Sequence, residues 1–123
     1  MRGSRIVFCL LMNNMKIIKF TKELVPLILS GEKTSTWRLF DDKDLGVSDD
    51  LKFISSDTGE IFGYAVILGI YQKKLGEITE DDFDGHEKFQ SNEEMIETYK
   101  GYYGERVDEN TIVKIIRFSF VKI

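Results

Sequence analysis

The chain has 123 residues, a formal net charge of −4, 15 aromatic residues and a single proline. This length and composition predict one globular domain and exclude a disordered chain. Tight binding to duplex DNA requires many lysines and arginines that face the phosphate backbone, and this acidic chain is not expected to provide them.

Metal and disulfide chemistry are also limited by composition. Cys9 is the one cysteine, so no disulfide can form within the chain, and His86 is the one histidine. A zinc site would have to consist mainly of carboxylates, which is unusual. We therefore expect no metal and no cofactor, and a reducing, cytoplasmic setting without membrane attachment.

The first 14 residues, MRGSRIVFCLLMNN, form an unusual N-terminal segment. Two arginines precede a short apolar run, as in a signal peptide, but no small-residue cleavage site follows. The run is also far too short to span a bilayer. We interpret residues 1–14 as a leader of non-structural origin, with Met15 as a second candidate start. An extra edge strand, a short helix and secretion are the alternatives.

Residues 15–123 are predicted to form a single domain. KIIKF is typical of a strand, and TKELVPLILSG of a helix whose regular part begins near Val25, because Pro26 has no N–H. Gly31 is a natural helix end, since glycine adopts positive φ freely. The next segment, KTSTWRLF, is rich in threonine and contains the tryptophan, which favours a strand.

The second half of the chain alternates turn and strand signals. LKFISS and IFGYAVILGIY are predicted strands joined at DTGE, GEITEDDFDGHEKFQ a long structured loop, and TIVKIIRFSFVKI a closing strand. SNEEMIETYKGYYG is a helix with a capping box of Ser91 and Glu94 and a stop at Gly104. The order β, α, β, β, β, α, β predicts an α+β fold, a mixed barrel of five to six strands flanked by two helices.

The segment from Lys33 to Arg38 carries the candidate site. In an extended strand Thr34, Thr36 and Arg38 share one face, whereas Trp37 faces the core. A lysine with a lowered pKa can act as a base toward a hydroxyl, and an arginine can hold a carbonyl, phosphate or carboxylate. The alternative is the ordinary polar face of a half-buried strand.

The residues GEKTSTWR, positions 31–38, match the pattern G-x-K-T-x-T-x-R, and by this motif the chain resembles the ASCH domain, a branch of the PUA-like β-barrel superfamily. The acidic segment, the capped helix and the closing strand TIVKIIRFSF are similar as well. The resemblance covers residues 15–123 and implies a PUA-like barrel with two helices.

The resemblance implies two functions that use the same cleft. ASCH domains are regarded as RNA-associated or nucleotide-associated modules, which suggests a binding module for RNA or a modified nucleoside. Some members are similar to amidohydrolases that deacetylate N(4)-acetylcytidine with a lysine base, a threonine nucleophile and a glutamate acid. Carried to this chain, these roles fall on Lys33, Thr36 and Glu87, with Asp84 as the alternative acid.

The remaining expected ligand contacts are Thr34, Arg38 and Asp84, with a base stacked on Tyr71 or Tyr102. A scaffold with a vestigial cleft is a third hypothesis, and the oligomeric state stays open.

Overall fold

The structure is a computed structural model, and it describes residues 15–41 and 43–123. The predicted leader therefore lies outside the described residues. The strands are β1 (Lys16–Phe20), β2 (Ser35–Leu39), β3 (Asp50–Ser55), β4 (Ile61–Lys74) and β5 (Ile112–Lys122), and the helices are α1 (Val25–Leu29) and α2 (Asn92–Tyr103). The order of elements matches the prediction, and two short 3-10 turns, Leu75–Glu77 and Glu80–Phe83, lie in the long loop.

All five strands belong to one sheet, in the order β1-β3-β4-β5-β2. Strand β1 pairs with β3 in parallel, and the other pairs are antiparallel. The expected α+β class is confirmed, with two helices and the sheet as a curled half-barrel. Strands β1 and β2 are the two ends of the sheet that the described residues form, and within residues 15–41 and 43–123 no ladder of backbone hydrogen bonds joins them.

Two hydrophobic clusters pack on opposite faces of the sheet. Along β5, Ile116 and Phe118 belong to the cluster that includes Phe53 and Ile28 of α1, whereas Ile115 belongs to the cluster formed with α2. Neighbouring side chains of a strand point to opposite faces, and this alternation separates the two clusters. Helix α2 and helix α1 therefore cover different faces of the sheet.

The helix ends follow the local signals in the sequence. Helix α1 begins at Val25 with the proline in its first turn, and Gly31 has φ of +86° just beyond its end. Ser91 caps α2 by accepting a hydrogen bond from the Glu94 N–H (3.1 Å). A capping box would also place the Glu94 carboxylate on the N–H of Ser91. In the structure this carboxylate accepts instead from the N–H of Gln90, one residue before the cap.

Candidate ligand-binding cleft

A buried lysine marks the floor of a cleft at the open side of the half-barrel. Lys33 follows the turn after α1, where its N–H donates to Leu27 O (2.9 Å). Its side chain is only 3% exposed, and Nζ donates to Glu87 Oε2 at 2.5 Å. A buried ammonium is costly without a charged partner, so this ion pair determines how Lys33 is held.

Glu87 reaches Lys33 because the segment before it is fixed against β2. The carbonyl of Gly85 accepts hydrogen bonds from the N–H groups of Thr34 and Ser35, at 2.9 and 3.1 Å. Gly85 has φ of +73°, and a Cβ placed on it would lie 2.0 Å from Thr34 Oγ1. Glycine thus serves two needs here, the left-handed backbone and the close approach of two chain segments.

Strand β2 contributes the opposite wall. Thr36 is buried and lines the cleft beside Lys33 and Glu87. The Lys33 ammonium is bonded to Glu87, and among the described groups no hydrogen bond joins it to the Thr36 hydroxyl. The lysine, the hydroxyl and the carboxylate therefore line one cleft.

Arg38 spans the gap between the two end strands of the sheet. Its Nη2 donates to the carbonyl of Lys19 in β1 (3.3 Å), and its guanidinium lies 5.1 Å from the centre of the Phe20 ring. Its Nε is buried and has no hydrogen-bond partner in the part of the chain that the structure describes. The side chain therefore lies at the mouth of the half-barrel, where the sheet is open.

Aromatic rings enclose the cleft. The ring of Trp37 stacks on that of His86, with centroids 4.2 Å apart and planes 18° from parallel, and on Tyr99 of α2 at 6.2 Å. The volume of the cleft is about 470 Å³. Its full lining also includes side chains from β1, α2 and the segments beside them: Lys19, Phe20, Thr21, Leu24, Lys33, Thr36, Arg38, Glu87, Phe89, Thr98, Tyr102 and Tyr103.

Burial and the ion pair act together on the pKa values of the cleft. Burial lowers the pKa of Lys33, although Glu87 opposes this change. Burial alone would raise the pKa of Glu87, but neighbouring positive charge and the Lys33 hydrogen bond hold it below the usual value. His86 would act on Glu87 only when charged, and burial beside Lys33 lowers the pKa of His86 to about 4. At neutral pH His86 is therefore uncharged, and the Lys33 ammonium is the positive charge that lowers the pKa of Glu87.

The cleft is positive within an acidic chain. Among the described lining residues, Lys19, Lys33 and Arg38 face one carboxylate, that of Glu87, so the described lining has an excess of two positive charges. Burial lowers the pKa of Arg38, but a guanidinium stays protonated near neutral pH. The net charge of −4 gave no indication of this local excess.

Three of the predicted contact residues lie elsewhere. Thr34 is exposed and borders a separate groove beside α1. Tyr71 and Asp84 border another pocket of about 240 Å³, where Tyr71 donates to Asp82 (2.8 Å) and Asp84 pairs with Arg117 (2.6 Å). Thr34 precedes the first residue of β2, so the strand alternation assumed for it does not apply. Of the two carboxylates considered as the acid, the structure brings Glu87 to the cleft and leaves Asp84 outside.

Several lining residues were not predicted as part of the site. Trp37 was predicted to face the core, and its side chain is 3% exposed. Tyr99 and Tyr103 of α2 had no role in the predicted site, nor had His86, whose Nδ1 lies 2.8 Å from Glu87 O. The same side chains also form the cleft wall. The spacing of Phe83, His86 and Phe89 could have indicated that the long loop packs against the rest of the domain, because aromatic residues in a polar loop need a surface to pack on.

No group of three histidine, cysteine, aspartate or glutamate side chains suited to a metal ion occurs in residues 15–41 and 43–123. No helix in that part of the chain is long and apolar enough to cross a membrane.

Comparison with known proteins identifies the fold. No protein-family model matches the sequence, and no curated protein matches it. Solved structures do match: an Enterococcus faecalis protein of the DUF984 family has 13% identity and a TM-score of 0.71, over 88% of this chain and 81% of that one. An ASCH domain from Lactobacillus crispatus has 15% identity and a TM-score of 0.66, with the same coverage.

ASCH from Zymomonas mobilis has 15% identity and a TM-score of 0.61, over 84% of this chain and 65% of that one. The protein is thus an α+β half-barrel with two helices, and a cleft lies at the open side of the half-barrel. In particular, the fold is that of ASCH domains, as the motif at residues 31–38 suggested.

Proposed function

We propose that the cleft binds one nucleoside-sized ligand, either a free modified nucleoside or an unpaired nucleotide of an RNA. A cavity of about 470 Å³ lies in the range of small-molecule sites. The rings of Phe89, Tyr102 and Tyr103, which are partly or well exposed along its walls, offer surfaces on which a flat base can stack. The resemblance to ASCH domains supports the same ligand class.

The observation that carries this proposal is the Lys33–Glu87 ion pair inside the aromatic cleft. A nucleobase edge presents donors and acceptors in one plane, and recognition needs a donor and an acceptor that are fixed in advance. The lysine supplies N–H donors, the glutamate supplies an acceptor oxygen, and each holds the other in place. The Thr36 hydroxyl beside them serves in either role.

Trp37 makes the proposal directly measurable. It is the one tryptophan of the chain, and its ring lines the cleft. We expect titration with cytidine or N(4)-acetylcytidine to change the intrinsic fluorescence in a saturable way. Thr36→Val should weaken binding about tenfold, since a lost hydrogen bond to a ligand costs about 1–1.5 kcal/mol.

Tyr71→Phe is the matched control, because it also removes one hydroxyl but lies in the other pocket. Its affinity should equal that of the unmodified protein. Absence of saturable binding by either nucleoside and by a short single-stranded RNA would contradict the proposal.

A second candidate is amide hydrolysis, and the observation that favours it is the convergence of Lys33, Thr36 and Glu87 in one cleft. In this scheme Lys33 takes the proton of the Thr36 hydroxyl, and Oγ1 attacks the acyl carbon of an N-acylated cytidine. Glu87 protonates the departing exocyclic nitrogen, which releases cytidine. Water then hydrolyses the acyl-threonine ester and regenerates the hydroxyl.

The resting ion pair has the opposite protonation, since Lys33 is an ammonium and Glu87 a carboxylate. Transfer of one proton across their 2.5 Å contact makes Lys33 a neutral base and Glu87 a neutral acid at once. A ligand that excludes water from the cleft favours this transfer, because burial penalises both charges.

The test is release of cytidine from N(4)-acetylcytidine by the purified protein. We expect Thr36→Val and Lys33→Met each to abolish release, while Tyr71→Phe retains it. Saturable binding without turnover would reject the hydrolase and keep the binding function. Turnover that survives Thr36→Val would reject threonine as the nucleophile.

A further inference from the structure

Arg38 is the feature of the cleft that a neutral nucleoside leaves unexplained. Its guanidinium contacts a carbonyl oxygen and an aromatic ring, and no ion pair with a carboxylate is found for it among the described side chains. Its Nε is buried without a partner. A largely enclosed charge is retained at a cost unless an anion compensates it.

The positive charge continues beyond the cleft. Arg38 and Tyr103 also border an adjoining pocket of about 300 Å³. Lys43 and Arg106 line this pocket, and the guanidinium carbon of Arg106 lies 3.8 Å from the centre of the Phe40 ring. Arg38 therefore stands at the junction of two concave surfaces that both carry cations.

Phe40 supports a binding role for this junction. Its backbone has φ of +51°, which is rare for a bulky residue, and its side chain is 42% exposed. An aromatic residue held in a strained conformation at the surface is more typical of binding sites than of ordinary loops.

Among the described residues that line the adjoining pocket, the one carboxylate, that of Asp41, does not cancel this charge. Asp41 accepts from Lys114 Nζ (2.7 Å) and from the Leu45 N–H (2.8 Å), and these bonds outweigh its burial and hold its pKa below the usual value. Asp41 is therefore already hydrogen-bonded to a cation, whereas no carboxylate in residues 15–41 and 43–123 forms an ion pair with Arg38.

We propose that Arg38 binds a phosphate group of the ligand, so that the site takes a nucleotide with its base in the cleft and its phosphate at the junction. This inference rests on the proposed function and adds the charged part of the substrate. A guanidinium offers N–H donors with the planar geometry that fits phosphate oxygens. The phosphate of a free nucleotide and that of a nucleotide within RNA have the same chemistry at this point.

The experiment compares cytidine with cytidine 5′-monophosphate by Trp37 fluorescence. We expect the monophosphate to bind at least tenfold more tightly at 50 mM KCl, and this gain to shrink at 300 mM KCl because salt screens a partly exposed charge pair. In Arg38→Gln the gain should vanish while affinity for cytidine changes less. Arg117→Gln removes an arginine that pairs with Asp84 outside the cleft, so it should keep the full gain.

A dinucleoside phosphate distinguishes the two sources of the phosphate. A gain as large as that of the monophosphate would identify an internal phosphate of RNA, and a gain confined to the monophosphate would identify a free nucleotide. Equal affinities for cytidine, its monophosphate and the dinucleoside phosphate would overturn the inference and leave the nucleoside site standing.

An NMR titration with inorganic phosphate tests the anion site without any nucleoside. We expect the Arg38 Nε–H resonance to shift and that of Arg117 to stay. If cytidine and its monophosphate both fail to bind but this shift occurs, the proposed function fails and the anion site remains. If the Arg38 Nε–H resonance does not shift and the monophosphate binds no more tightly than cytidine, the anion site is rejected. This conclusion holds even if Arg38→Gln does not fold.

Discussion

At the scale of single residues, the Lys33–Glu87 pair is asymmetric. The lysine side chain is 3% exposed and the glutamate side chain 32%. Removing the glutamate leaves an enclosed ammonium without its partner, whereas removing the lysine leaves a carboxylate that water can reach. Removal of Lys33, the more buried partner, should therefore destabilise the fold less than removal of Glu87.

This asymmetry gives a stability prediction. We expect Glu87→Gln to lower the free energy of unfolding by about 1–3 kcal/mol at pH 7, because Lys33 keeps its desolvation cost. Lys33→Met retains the apolar stem, removes the charge and should cost less. Urea unfolding of both variants and of the double variant measures the difference. A larger loss for Lys33→Met would contradict this asymmetry, and the double-variant cycle gives the coupling energy of the pair.

His86 gives a pH prediction. Its pKa is lowered to about 4 in the folded protein, by burial first and then by Lys33, whereas the unfolded value is near 6.5. Between these values the unfolded chain binds the extra proton, so stability falls as pH decreases from 6.5 to about 4. The loss amounts to about 2–3 kcal/mol.

His86→Phe retains a ring against Trp37 and removes the titrating group. The loss of unfolding free energy between pH 7 and 4.5 should therefore be smaller in this variant than in the unmodified protein, by urea unfolding at both pH values. Glu87 does not contribute to this difference between pH 7 and 4.5. Its pKa is lowered in the folded protein, so the stability that it provides is lost only at more acidic pH. An unchanged pH dependence would show that the pKa of His86 is the same in the folded and unfolded states.

At the scale of elements, the contact between Gly85 and β2 determines whether Glu87 reaches the cleft. The two hydrogen bonds to Gly85 O join a loop to the start of an edge strand, and a side chain at residue 85 has no room beside Thr34. The position of the cleft wall is therefore set by one backbone contact.

We expect Gly85→Ala to destabilise the fold by about 1–3 kcal/mol, since φ is positive and the new Cβ meets Thr34. It should also weaken ligand binding by displacing Glu87. Gly101→Ala is the matched control, because it lies within α2, meets nothing within 4 Å, and should stabilise by about 0.5–1 kcal/mol. Thermal unfolding and the Trp37 titration report both effects, and full binding by Gly85→Ala would show that the loop has other anchors.

At the scale of the whole molecule, the cleft fills the place where the barrel would otherwise close. Strands β1 and β2 are joined across this gap by the Arg38 side chain rather than by a ladder of backbone hydrogen bonds. A ligand there contacts both ends of the sheet, including Phe20 of β1 and Thr36 of β2. A ligand bound there should therefore stabilise the gap between β1 and β2.

This stabilisation predicts where a ligand protects the chain. At a ligand concentration of 100 times Kd the free energy of unfolding should rise by about 2.7 kcal/mol. Amide exchange of β1, β2 and residues 84–89 should slow more than that of the turn at residues 108–111, which does not line the cleft. Uniform protection along the chain would show that the gap is no weaker than the rest of the sheet.

The sequence by itself determined the elements and the motif. Helix ends at Gly31 and Gly104, the cap at Ser91, and the strand that places Trp37 in the core depend on interactions within a few residues, which local patterns record. The motif also located Lys33, Thr36 and Arg38, because all three belong to one short segment.

Only the tertiary structure decided the other half of the cleft. Lys33 and Glu87 are 54 residues apart, and no local pattern distinguishes Glu87 from Asp84 in an acidic loop. The choice depends on Gly85 docking against β2, which turns one carboxylate inward and leaves the other with Arg117. The positive charge of the cleft arises in the same way, because it depends on which side chains converge in space and not on their number in the chain.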